Sequence, residues 1–132
     1  MKKTNDVAAS SALFAVLGLL SVALLPVQAG AQSAAGGETL FKQRCAMCHT
    51  SKPGAPAGMG PNLSGLSKRK AGTGQGFAYS AALKKSGMAW TKANLDQFLT
   101  APAKVVPGTR MVVATPNPEQ RAGLVAYLLS LK

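Results

Sequence analysis

Cys45-Ala46-Met47-Cys48-His49 is the stretch on which the reading of this chain turns. Two thiols at that spacing can each add to one vinyl group along the edge of a haem, forming thioethers. The histidine that follows then lies under the ring and can bind iron through its imidazole. C-x-x-C-H is the attachment signature of c-type haem, and three of its five positions are fixed residue types. The competing chemistries fit less well. A structural zinc site wants four Cys or His ligands, whereas the whole chain has two cysteines and one histidine. A dithiol oxidoreductase needs a βαβ setting that the pattern lacks. A plain local disulfide would leave His49 a bystander.

A haem iron has six positions, four filled by the ring and one by His49. With no second histidine in the chain, the remaining candidates are Met47, Met59, Met88 and Met111, a lysine, or open coordination. Met47 lies between the attachment cysteines, where a helical backbone points it away from the iron. Met59 and Met88 read as filler side chains, the ordinary role of methionine. Met111 follows a Pro-Gly-Thr turn, far enough along the chain to reach the opposite haem face, and is the expected ligand. A His/Met pair raises the reduction potential and leaves no vacant position for oxygen. That suits electron transfer rather than catalysis.

The N-terminal part of the chain has a different character. Lys2 and Lys3 are followed by an apolar run from Ala12 to Leu25, then Pro26 and small residues through Ala31. This order is that of a secretory signal peptide over residues 1–31, with cleavage after Ala29 or after Ala31. The run is short for a spanning helix, which needs about 20 apolar residues; an uncleaved membrane anchor is the lesser alternative. The expected destination is the periplasm.

Removal of that segment leaves about 100 residues, for which a core of side chains alone is marginal. The chain holds seven aromatic residues, 14 glycines and eight prolines, so a large apolar ligand at its centre would add much to the fold. Fifteen Lys and Arg stand against four Asp and Glu; without Lys2, Lys3 and Asp6 the formal charge is +10. Such a field attracts acidic partners and decays over a Debye length of about 8–10 Å. Nucleic acid is also acidic, but an exported protein meets little of it and no nucleic-acid motif is present.

Along the mature part, 32–36 reads as a flexible lead-in and 37–132 as one domain. A helix is expected from Gly37 to about Cys48, with Leu40, Phe41 and Arg44 at helical spacing. Thr50 to Gly65 is too rich in Gly and Pro for regular structure. Lys68-Arg69-Lys70 reads first as a solvated charge run. Ser80 can cap a short helix that Gly87 stops, and Thr91 another that places Leu95, Phe98 and Leu99 on one face before Pro102. Pro107 and Gly108 exclude helix before Met111. The last helix carries an Asn117 cap, Pro118 in first position and Gln120 in a pattern like a capping box, with Leu124, Tyr127, Leu128 and Leu131 as its apolar stripe. No useful length alternates with a period of two. The expected class is all-α, with long loops.

Gly37, Phe41, Cys45-x-x-Cys48-His49, Gly60-Pro61-Asn62-Leu63, Arg69-Lys70-x-Gly72, Phe77-x-Tyr79-Ser80, Trp90, Pro107-Gly108-Thr109-x-Met111 and Ala126-Tyr127-Leu128 follow one another in an order that resembles class I cytochromes c. The match runs from Gly37 to Leu131. The resemblance implies N- and C-terminal helices that cross, short middle helices, and long loops around a single covalent haem. It implies that the Pro61 carbonyl orients His49, that Tyr79 and Trp90 donate to a buried haem propionate with Arg69 nearby, and that Thr109 orders the Met111 loop. It also implies packing of Gly37 and Phe41 against Leu124 and Tyr127. Ser67-Lys68 departs from the family, which usually has a bulkier residue followed by glycine, and Arg110 stands where lysine is common. The function so implied is that of a monomeric electron carrier making transient complexes with acidic surfaces of membrane or periplasmic redox complexes, without a small-molecule substrate. A haem peroxidase, a gas-binding protein, or a fixed or membrane-tethered subunit of an oxidase or dehydrogenase are the alternatives.

Overall fold

The computed structural model describes residues 29–132. Residues 1–28, which carry the apolar run of the expected signal peptide, lie outside the described residues. Five helices follow in order: α1 Ala29–Arg44, α2 Ala81–Ser86, α3 Lys92–Thr100, α4 Pro102–Val105 and α5 Pro118–Ser130. A single 3₁₀ turn covers Leu66–Lys68. Among the described residues the only β pairing is an isolated bridge between Lys70 and Ala89. No helix among them is long and apolar enough to cross a membrane.

Local chemistry accounts for most of the helix boundaries. The hydroxyl of Ser80 accepts from the Leu83 amide, and Gly87, at φ 57°, takes the left-handed conformation that ends α2. Thr91 accepts from the Asn94 amide at the start of α3. Asn117 accepts from the Gln120 amide at the start of α5, with Pro118 behind it where no amide proton is needed. These three starts are the ones the sequence predicts.

The structure departs from the sequence reading in three places. α1 begins at Ala29, so the segment 32–36 expected as a flexible lead-in is helical; its run of Ala and Gln contains no proline to interrupt the helix. At the other end α1 stops at Arg44 rather than Cys48. The attachment motif still keeps helical turns, because the Cys48 and His49 amides both donate to the Cys45 carbonyl, at 3.0 and 2.9 Å. α4 is a four-residue helix with Pro102 in its first turn, lying just beyond the point where that same proline ends α3.

α1 and α5 pack directly against each other, and α5 also packs on α3. The contact needs glycine on both sides. A Cβ on Gly37 would sit 1.9 Å from the Gly123 carbonyl oxygen, so the two backbones touch where side chains would hold them apart. Beside that contact, the rings of Phe41 and Tyr127 lie 5.4 Å apart, tilted at 47°. Leu124, Val125 and Leu128 of α5 are buried with Leu95, Phe98 and Leu99 of α3. Arg121 fastens this arrangement. Its Nε donates to Asp96 at 2.8 Å, and its Nη1 donates to the Thr115 and Pro116 carbonyls at 3.0 and 2.9 Å. The Thr115 amide in turn donates to the Leu99 carbonyl at 2.7 Å. The chain that leaves Met111 is thereby anchored to α3.

Candidate functional site

The helices and loops surround a cleft of about 240 Å³. Leu63, Leu66, Leu83, Leu95, Phe98, Leu99 and Leu128 give it apolar walls. Cys45, Cys48, His49, Pro61, Arg69, Tyr79, Trp90, Thr109 and Met111 all line it as well. Nine residues spread over 67 positions of sequence thus meet on one cavity.

His49 is the most closely held of them. Its Nδ1 lies 2.9 Å from the Pro61 carbonyl oxygen. A carbonyl only accepts, so Nδ1 carries the proton and Nε2 keeps its lone pair for a metal. The opposite constraint is steric. A Cβ on Gly60 would come within 2.5 Å of the imidazole Cε1, so glycine here lets the loop close against the ring. The loop itself is pinned, because the Gly60 amide donates to the Cys48 carbonyl at 2.8 Å. Neither cysteine is in a disulfide, and both are half-buried. Burial pushes the Cys45 thiol above its ordinary value, with the neighbouring Arg44 charge opposing.

Met111 is half-buried and packs against the core. Its amide donates to the Thr109 hydroxyl at 3.3 Å, and the Thr109 amide donates to the Val106 carbonyl at 3.0 Å. Gly108, at φ 89°, makes the turn between them possible. Of the other methionines among the described residues, Met59 alone also lines the cleft. Met47 is 78% exposed and does not line the cleft. Met88 packs against the core away from it. Met59, expected as filler, is instead 72% exposed on the cleft rim; it follows Gly58 in a loop folded tightly against the Cys48 carbonyl, which leaves its side chain no interior to fill.

Arg69, Tyr79 and Trp90 supply the cleft with a second set of polar groups. Arg69 donates through Nη2 to the Asn62 carbonyl at 2.5 Å and through Nη1 to the Tyr79 hydroxyl oxygen at 3.2 Å. The charge run Lys68-Arg69-Lys70 is therefore divided: the lysines are exposed and the arginine turns inward. The Tyr79 hydroxyl, accepting from Arg69, keeps its own proton available. Gly74 closes over the pair, for its Cβ would lie 2.3 Å from the Tyr79 hydroxyl and 2.4 Å from Arg69 Nη1. Trp90 packs edge-on to Phe98 at 5.2 Å. Its Nε1 is the one buried side-chain nitrogen or oxygen without a hydrogen-bond partner among the described residues. A buried orphan donor costs about 1–3 kcal/mol, and it sits in a cleft lined by a free tyrosine proton and a guanidinium. A haem placed with a propionate carboxylate there would satisfy all three. The residues present fit the group.

Two arginines also bear on the cleft: Arg44, which the sequence reading did not assign to it, and Arg110, which that reading placed among the cations round the haem edge. Arg44 Nη2 donates to the Ala114 carbonyl at 3.2 Å, across 70 positions of sequence. Arg110 donates through Nη2 to the Ala78 carbonyl and holds its guanidinium 5.9 Å from the centre of the Phe77 ring. Their adjacency to Cys45 and Met111 was the available signal; their carbonyl partners carry none in the sequence.

An all-α chain with a C-x-x-C-H turn, and an imidazole and a thioether on one apolar cleft, defines a small single-haem protein of the c type. The comparisons agree. The cytochrome c family model matches residues 34–132. The chain is 48% identical over 97 residues to a cytochrome c2 of Rhodoblastus acidophilus, covering 73% of this chain and 90% of that one. It is 46% identical over 102 residues to a cytochrome c of the plant Guizotia abyssinica, covering 76% and 92%. Over 114 residues it is 44% identical to a cytochrome c2 of Blastochloris viridis, covering 86% and 89%. The chain belongs to the cytochrome c family. It is an electron carrier with one covalently bound haem c, a redox partner of larger complexes and not an enzyme.

Proposed function

We propose that this carrier works outside the cytoplasmic membrane, in the periplasm, and docks its cleft rim briefly against acidic patches on membrane or periplasmic redox complexes. Cys45 and Cys48 would hold the haem by thioethers, His49 and Met111 would bind its iron, and Trp90, Tyr79 and Arg69 would bind a propionate. The haem supplies a one-electron couple when bound. The protein's part is to keep His49 and Met111 fixed in place and to exclude water with the leucine and phenylalanine walls. Pro61 and Gly60 hold His49 in one orientation, and Thr109 orders the loop that presents Met111. Residues 1–31 are read as the export signal.

The observation that carries this reading is the common cleft of His49 and Met111. The His49 imidazole and the half-buried Met111 side chain, from distant parts of the chain, line a single apolar space, whereas Met59 is largely exposed at its rim. Support for acidic partners comes from the charge, +10 over the mature part. Lys42, Lys52, Lys84, Lys85, Lys104 and Arg110 are all exposed, and exposed charges steer encounter more than they add affinity. Stopped-flow kinetics against an acidic redox partner, from about 10 mM to about 300 mM salt, test it. The second-order rate should fall steeply as the Debye length shortens, while the rate inside the preformed complex changes far less. A flat bimolecular rate would leave the charge without a role in recognition.

A further inference from the structure

The loop that carries Met111 has few attachments. Among the described residues, only two hydrogen bonds tie positions 107–114 to distant parts of the chain. They are Arg110 Nη2 to the Ala78 carbonyl and Arg44 Nη2 to the Ala114 carbonyl. The remaining hydrogen bonds are local: the Thr109 amide to Val106 and the Met111 amide to Thr109 Oγ1. Val112 and Val113 are exposed at 82% and 38%, so apolar burial does not hold this part of the loop down.

The two guanidiniums act on opposite sides. Arg110 precedes Met111 and reaches the segment that carries Phe77 and Tyr79; Phe77 in turn packs edge-on to Tyr79 at 5.0 Å. Arg44 ends α1, next to Cys45, and grips the loop three residues beyond Met111. Both arginines line the cleft. We propose that Arg44 and Arg110 are positioning residues that strap the Met111 loop shut from its two ends, setting how readily an outside ligand replaces the methionine.

The physical argument is one of local opening. A loop with little buried apolar surface opens at low free-energy cost, and its closure is governed by the few bonds that span it. Each bond has a charged donor, the stronger class of hydrogen bond, but exposure to water reduces its worth. A guanidinium over the Phe77 ring adds a cation–π contribution at one end. Because the straps lie on different sides of Met111, loss of either frees one side and loss of both frees the loop.

This inference rests on ligation by Met111, and its test separates the two. Imidazole, neutral and able to bind ferric haem iron, is titrated into the ferric holoprotein while the weak far-red band of methionine-ligated ferric haem is followed. The parent must show that band; its absence would remove both the ligand assignment and the straps. Arg44→Gln and Arg110→Gln should each raise the apparent imidazole affinity roughly three- to tenfold, the worth of about one hydrogen bond. The double variant should exceed either, with helical circular dichroism unchanged. Arg110→Lys, which keeps a cationic donor, should stay closer to the parent than Arg110→Gln. Lys92→Gln, an exposed charge away from the cleft, serves as the control. If the parent has the band and both Gln variants stay within about twofold of it, or if Lys92→Gln matches their rise, the straps do not exist.

Discussion

The imidazole of His49 is held by a carbonyl and a glycine: Pro61 accepts from its Nδ1 at 2.9 Å, and Gly60 lies close against the ring, where a Cβ would stand 2.5 Å from Cε1. The first contact fixes the tautomer and the second fixes the position, so the lone pair of Nε2 has one direction available.

Gly60→Ala therefore separates the two constraints. The added methyl must push the ring away from the Pro61 carbonyl or move the loop, at a cost of about 1–3 kcal/mol by analogy with overpacked cores. In urea titrations of the ferric holoprotein, His49 should leave the iron at lower denaturant than in the parent. An unchanged midpoint would mean that the loop yields freely and that Gly60 does not position the ligand.

Trp90→Phe keeps the ring packed on Phe98 and removes the orphan donor. If Nε1 donates to a propionate, the carboxylate loses a bond that favours its charged form. The propionate should then titrate higher, the reduction potential should fall as its negative charge is felt more strongly, and stability at neutral pH should drop by about 1.5–3 kcal/mol. Stability from a stabilised carboxylate is present above its titration and lost as pH falls through it. The difference between variant and parent should accordingly shrink in acid. A pH-independent difference would assign Trp90 to packing alone.

Adjacent glycines in α1 offer an internal control on the α1–α5 contact. A Cβ on Gly36 meets nothing within 4 Å, whereas one on Gly37 lands on the Gly123 carbonyl. Gly36→Ala should raise stability by about 0.5–1 kcal/mol through helix propensity. Gly37→Ala should lower it by several times that amount, roughly 3 kcal/mol, because two backbones must separate. Thermal unfolding of the two holoproteins reads the sign directly.

Much of this fold was legible because its signals are local. Ser80, Thr91 and Asn117 cap helices by bonding amides three residues on, a pattern a sequence displays. The Cys45–His49 motif is equally compact. Contacts between distant segments were not legible. Gly37 meets Leu124 as expected, through its amide nitrogen, but its nearest neighbour is the Gly123 carbonyl, and no single-sequence signal pairs two glycines 86 positions apart. Arg44 and Arg110 bond to backbone carbonyls, which every residue possesses, so neither partner could be named in advance. Met59 was read as filler because methionine usually is; the tight loop through Gly58 and Gly60 leaves it at the surface instead. The inward turn of Arg69, out of a run of three cations, depends on the Asn62 carbonyl being presented by a loop whose shape that asparagine itself fixes, donating to Lys52 and Ala55 at 2.8 Å each.

The proposal that His49 and Met111, which line one cleft, are both ligands of the iron is open to a direct test. The ferric spectrum of Met111→Ala, beside Met59→Ala and Met88→Ala, tests it most directly. The parent and the two control variants should keep the far-red band of a methionine-ligated ferric haem, and Met111→Ala should lose it, with a lower reduction potential and an iron open to added ligands. A far-red band that survives in Met111→Ala, or disappears in either control variant while Met111→Ala retains it, would contradict the account.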